Sequence, residues 1–125
     1  MARSTAHPRP ARSEPFYWLL FTAGGGVSAF LFPAHIVILG IAYGAGWLPD
    51  DALSYDRVLD LVQNPLTKIY LFVLVVLPMF HAAHRIRYGI RHELRVEENK
   101  HIVASACYGA AYVGTAVTVG VLLRI

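Results

Sequence analysis

The sequence predicts an all-α membrane protein: three transmembrane helices, with a short amphipathic helix in the loop between the first and the second. Three observations predict it. Hydrophobic residues make up 56% of the 125-residue chain and charged residues only 15%, against roughly 25% charged in a soluble domain. The charges are missing from three long stretches, each able to cross a hydrocarbon core of about 30 Å at about 1.5 Å per residue. The segments between those stretches alternate in basic content, which is how membrane chains set their topology. An ordinary soluble globule is excluded. So is disorder, which goes with low hydrophobicity and high charge. The single cysteine, Cys107, leaves no disulfide framework and no Cys-rich zinc or iron–sulfur site.

The first helix is expected over 16–43, after a tail at 1–14. Between Glu14 and Asp50 there is no Asp, Glu, Lys or Arg. Arg3, Arg9 and Arg12 ahead of an apolar run also suit a signal peptide, but the run exceeds a signal core of about 7–15 residues and a second span follows. An uncut helix is therefore expected. Gly24, Gly25, Gly26, Ser28 and Ala29 form a small-residue patch of the kind that lets membrane helices approach closely. Pro33, deep in this stretch, removes a backbone hydrogen bond and predicts a kink.

The next segment, DDALSYDRVLDLVQN, places Leu53, Val58, Leu61 and Val62 on one side of a short surface helix, with Asp50 or Asp51 as its N-cap. Asn64 and Pro65 then read as N-cap and first residue of the second membrane helix, expected over 65–90. It includes the uncharged run IYLFVLVVLPMFHAAH, with Pro78 inside. The third helix is expected over 101–123, rich in Ala, Gly, Ser and Thr. A three-helix chain with so many small residues predicts partner helices.

Topology follows from lysine and arginine. Arg3, Arg9 and Arg12 mark the N-terminal segment, and Arg85, Arg87, Arg91, Arg95 and Lys100 mark the segment joining the second and third helices; between the first and second stands Arg57 alone among four aspartates. Basic segments stay inside. The N-terminus is thus expected in the cytoplasm and the C-terminus outside. Phe16, Tyr17 and Trp18 at one end of the first helix, and Tyr43 and Trp47 at the other, suit the two interfaces.

The chemistry is expected at the inner end of the second helix, in the string His81-Ala-Ala-His84-Arg85-Ile-Arg87. Ionisable groups at membrane depth are costly and mark functional sites. His81 and Arg85 share one face, and His84 lies one turn from Arg87 and Tyr88, so the two histidines are expected to serve neighbouring but distinct surfaces. Three readings compete. Arg85, Arg87 and Arg91 act as anchors snorkelling to head groups, which is the expectation for Arg87 and Arg91; His84 and Arg85 donate hydrogen bonds to a quinone carbonyl beside an apolar slot; or His81 or His84 ligates a haem axially, with His35 and His101 as the other candidates. No catalytic residue and no metal ligand set is assigned to the chain.

These residues resemble a known family: the D subunit of the four-component quinol:fumarate reductase, a three-helix membrane anchor. The likeness runs from Glu14 to the end of the third helix. It rests on Glu14-Pro15-Phe16-Tyr17-Trp18, the glycines 24–26, the string Asp51-Ala52-Leu53-Ser54-Tyr55-Asp56-Arg57-Val58, Leu77-Pro78 and His84-Arg85. The loop string is the most diagnostic, because membrane insertion does not require it. The family pattern is richer in histidine after His-Arg, where this chain has Arg87, Tyr88 and Arg91. The resemblance implies a complex in the cytoplasmic membrane. A flavoprotein reduces fumarate, an iron–sulfur protein carries electrons, and this non-catalytic anchor and a second anchor, the C subunit, hold both to the membrane and bind menaquinol. Trp18, His84 and Arg85 match family positions at the quinone site nearest the iron–sulfur protein. The resemblance also implies that no haem is bound, and that any carboxylate accepting protons belongs to the second anchor.

A haem-binding succinate dehydrogenase anchor is the nearest rival. A small membrane transporter is the rival from another class, but proton-coupled transport usually needs an acidic residue within a span, and here every Asp and Glu lies in a tail or loop. A nucleic-acid partner is not expected, since topology already accounts for the basic residues.

Overall fold

The computed structural model describes residues 13–94 and 100–125. It is all-helical among those residues, with three helices long and apolar enough to cross a membrane. Helix α1 runs Glu14–His35 and continues as a π-helical stretch, Ile36–Ala42. Helix α2, Tyr55–Gln63, follows in the loop. Helices α3, Pro65–Leu94, and α4, Lys100–Arg124, complete the chain. The expected tail, residues 1–12 of it, and the connection 95–99 with Arg95, Glu97 and Glu98 lie outside the described residues.

Local sequence explains the ends. Pro15 occupies the first turn of α1, where its missing N–H costs nothing, and Glu14 sits at the positive end of the helix dipole. Asn64 caps α3 as its sequence predicts: its Oδ1 accepts the Leu66 N–H at 2.9 Å, with Pro65 as the first helical residue. The cap expected at Asp50 or Asp51 is corrected. Helix α2 begins only at Tyr55, because the chain ahead of it closes two turns, Ala52 N–H to the Pro49 carbonyl at 2.9 Å and Ser54 N–H to the Asp51 carbonyl at 3.0 Å. Extended Ser54 takes the capping position, and the Asp51 carboxylate reaches Arg57 at 2.7 Å instead.

The predicted irregularity at Pro33 takes the form of winding. Pro33 cannot donate to the carbonyl four residues back, and shortly beyond it the helix widens to the π form, with the Tyr43 N–H reaching Ile38 at 3.1 Å and Trp47 reaching Ala42 at 2.9 Å. The stretch ends in a turn through Gly46 (φ 71°).

Helix α3 is central. It packs against α1 on one side and α4 on the other, both antiparallel to it, and α2 leans on its first turns. Along the α1–α3 seam Gly24 is the closest point: a Cβ there would overlap the Leu77 carbonyl and lie 2.8 Å from the His81 Cβ. Gly25 faces the His81 ring, while Gly26 has open space around it. Thus one glycine of the run carries the backbone approach. Towards α4 the core is Val76, Phe80, Ala83, Tyr108 and Ala111, the last 1% exposed. Most other apolar side chains, among them Leu19, Phe30, Ile69 and Leu123, point outwards. In water that surface would be untenable, whereas in a bilayer it is the ordinary exterior.

Candidate functional site

Where α1 begins, α3 ends and α4 begins, aromatic and cationic side chains converge. Trp18 and Phe21, one turn apart on α1, meet His84 of α3: the Trp18 and Phe21 ring centroids lie 5.3 Å and 4.7 Å from the imidazole. Tyr88, one turn further along α3, is 4.7 Å from His84. Together with Arg85 these residues line a cavity of about 190 Å³. Trp18, His84 and Arg85, singled out in the sequence, thus share one cavity. Phe21 and Tyr88 complete its walls, each one helical turn from a named residue.

His84 is 5% exposed. Its Nδ1 lies 2.8 Å from the Tyr108 hydroxyl, and the guanidinium of Arg87 donates to that same oxygen at 3.4 Å. Arg85 is exposed at its outer side and makes no ion pair with a described residue, so its charge is available at the cavity mouth. Arg87 departs from its expected role as a snorkelling anchor. It folds back over the Tyr88 and Tyr108 rings, 5.3 Å and 5.5 Å from their centroids, because two tyrosine faces offer a nearby cation site that water or head groups would otherwise supply.

The two histidines are also closer in their surroundings than expected. His81 stacks flat on Phe21, 4.4 Å away at 6°, and its Nδ1–H donates to the Phe21 carbonyl at 2.8 Å. His84 leans on the same Phe21 ring. Spacing of three residues turns both toward α1, so one phenylalanine separates them. Of the other two histidines weighed as haem ligands, His35 donates Nδ1–H to the Leu31 carbonyl at 2.6 Å and meets the Tyr70 hydroxyl at 3.1 Å, while His101 is exposed at the start of α4.

Tyr108 and Phe21 are the participants that sequence reasoning missed, and Tyr17, expected only as an interfacial aromatic, is drawn in with them. Tyr17 stacks 4.4 Å from Tyr108 and shares a hydrogen bond with Tyr112 at 3.2 Å, tying α1 to α4. No spacing rule links Tyr108 to His84, because they lie on different helices whose register depends on the intervening connection.

The polar groups are an indole N–H, an imidazole, a guanidinium and the Tyr88 hydroxyl, with no carboxylate among the described residues of the lining. Such a set receives oxygen acceptors. The model of the family of fumarate reductase D subunits matches residues 9–123. The chain belongs to that fumarate reductase family. The fumarate reductase D subunit of Mycobacterium tuberculosis is 43% identical over 120 residues, covering 96% of this chain and 94% of that protein. Those of Photobacterium profundum and Vibrio vulnificus are 38% and 37% identical, over 88% and 82% of this chain and 91% and 81% of theirs. Membership of this family, with its three spans, makes the chain a multi-pass membrane anchor of fumarate reductase that works in a complex with other subunits.

Proposed function

We propose that the chain is one of two anchors of a quinol:fumarate reductase. It holds the flavoprotein and iron–sulfur subunits to the cytoplasmic face of the cell membrane beside the second anchor, and Trp18, His84 and Arg85 form part of a menaquinol site. The observation that carries this reading is the single cavity joining those three side chains at one end of the bundle. At about 190 Å³ it is smaller than the roughly 300–1,000 Å³ of complete ligand pockets. A partner chain therefore supplies the remaining wall, as a site shared between an anchor and its neighbours requires. Menaquinol bound there supplies two electrons and two protons.

What this chain contributes is polarity in an apolar slot. The Arg85 cation at the mouth and N–H donors on Trp18 and His84 favour an oxygen that gains negative character, while Phe21 and Tyr88 give apolar walls for a ring. No Asp or Glu stands among the described residues of the lining, and a carboxylate that takes the protons is on this reading supplied by the second anchor.

The experiment is Arg85→Leu in the assembled complex. Quinol-driven fumarate reduction is lost, while reduction driven by an artificial dye, which bypasses this chain, continues. Normal quinol-driven activity overturns the site. A reduced-minus-oxidised spectrum of the complex, expected without a haem band, separates this reading from the succinate dehydrogenase rival. The proposed orientation has the N-terminus inside, supported by the basic segments; a reporter active only outside the cell is active when fused after Ile125.

A further inference from the structure

We propose that Arg87 and Tyr108 are positioning residues for His84: they fix its ring and its neutral tautomer, so that Nε2–H is the group offered to the cavity. The inference rests on the quinol-site reading above.

The hydrogen-bond inventory carries it. A phenol has one hydrogen to give and two lone pairs, and a guanidinium only donates. Arg87 Nη1 gives to the Tyr108 oxygen at 3.4 Å, and His84 Nδ1 sits 2.8 Å from that oxygen. If Nδ1 held the proton, Tyr108 would receive two donors and its own hydrogen would find no acceptor among the described residues, at a site only 8% exposed. A buried donor left unmade is costly. With the proton on Nε2 the phenol is fully used, taking a hydrogen bond from Arg87 and giving its own hydrogen to Nδ1, and the one unbonded hydrogen moves from the enclosed phenol to Nε2 of a ring that lines the cavity, where a bound oxygen can accept it.

Geometry holds the relay in place. The Arg87 guanidinium is pinned between the Tyr88 and Tyr108 faces, and its Nε is buried with no hydrogen-bond partner among the described residues. Among the described residues its guanidinium hydrogen-bonds to the Tyr108 oxygen. The Tyr108 ring itself belongs to the α3–α4 core and stacks on Tyr17, so its hydroxyl cannot swing away from His84. This arrangement parallels the way an oriented second group fixes a histidine's tautomer elsewhere.

The test uses the assembled complex with menadiol as electron donor, and ¹⁵N-histidine solid-state NMR above the ordinary imidazole titration range. Tyr108→Phe keeps the core ring and removes only the hydroxyl. It raises KM for menadiol about tenfold, the scale of one lost hydrogen bond, and turns the single Nε2–H signal of His84 into a tautomer mixture. Arg87→Leu moves both readouts in the same direction, and Arg87→Lys retains most of the original behaviour. Should Tyr108→Phe fail to assemble, the Arg87 pair carries the same two readouts. An unchanged tautomer and KM in Tyr108→Phe or Arg87→Leu, with His84→Ala impaired, overturns the inference and leaves the quinol site standing. Normal menadiol turnover in His84→Ala overturns the site and this inference with it.

Discussion

The two flanks of α3 enclose cavities of opposite character. Against α1 the cavity is small, about 190 Å³, and ringed by Trp18, Phe21, His84, Arg85 and Tyr88. Against α4 the cavity is larger, about 420 Å³, and its lining of Met79, Ala82, Ala83, Ile86, Ala106 and Cys107, with Ala110 and Ala111, holds no strong hydrogen-bond donor. Volume alone would favour the α4 side. A ligand with paired oxygens needs donors more than room, because every unsatisfied polar atom buried in hydrocarbon costs several kcal/mol. The contrast traces to single residue choices on neighbouring turns of one helix: His81 and His84 turn to α1, while Met79, Ala83 and Ile86 turn to α4.

That contrast can be broken most severely at Gly24. Gly24→Leu drives a side chain into the Leu77 carbonyl, which is backbone and cannot yield, so the α1–α3 seam opens. A loss above about 3 kcal/mol is expected, read as failure of the complex to assemble or a collapse of its Tm, whereas Gly26→Ala, which meets open space, leaves Tm unchanged. Next comes Trp18→Ala, which removes one wall and one donor from the small cavity. Its expected cost is about tenfold in kcat/KM for quinol, with assembly intact by gel filtration. At the opposite end of the bundle, Asn64→Ala removes the α3 cap and lowers stability by about 1 kcal/mol without altering quinol kinetics. The smallest effect belongs to the α4 side: Ala110→Leu fills part of the large apolar cavity and shifts stability by no more than about 0.5 kcal/mol. Quinol kinetics that fell as far in Ala110→Leu as in Trp18→Ala would move the site to the other flank.

The spans were readable because membrane insertion writes itself as missing charge, a property of each stretch alone. The Asn64–Pro65 start of α3 was readable for the same reason, since a cap depends on two adjacent residues. Depth and side-chain chemistry picked out His84 and Arg85, and the family resemblance added Trp18. What the sequence withheld lies between helices. Arg87 looked like any basic anchor until α4 brought Tyr108 beside it, and the cap expected at Asp50 or Asp51 gave way to a start at Tyr55 because the chain closes two turns first, through the Pro49 and Asp51 carbonyls. In both cases the deciding partner stands on another segment, or on another turn of the same loop.

The π-helical stretch Ile36–Ala42 has a bearing on how the chain matches a bilayer. The hydrogen-bonded column from Glu14 to Ala42 contains 29 residues, as does Pro65–Glu93 in α3, against 24 from His101 to Arg124 in α4. As a regular α-helix it would extend about 43 Å at 1.5 Å per residue, well beyond a hydrocarbon thickness of about 30 Å. Wider winding places more residues around the axis and fewer along it. Over the seven residues of Ile36–Ala42 this takes up a small part of the surplus, in girth near one bilayer edge, and tilt takes up the rest between Trp18 and Trp47.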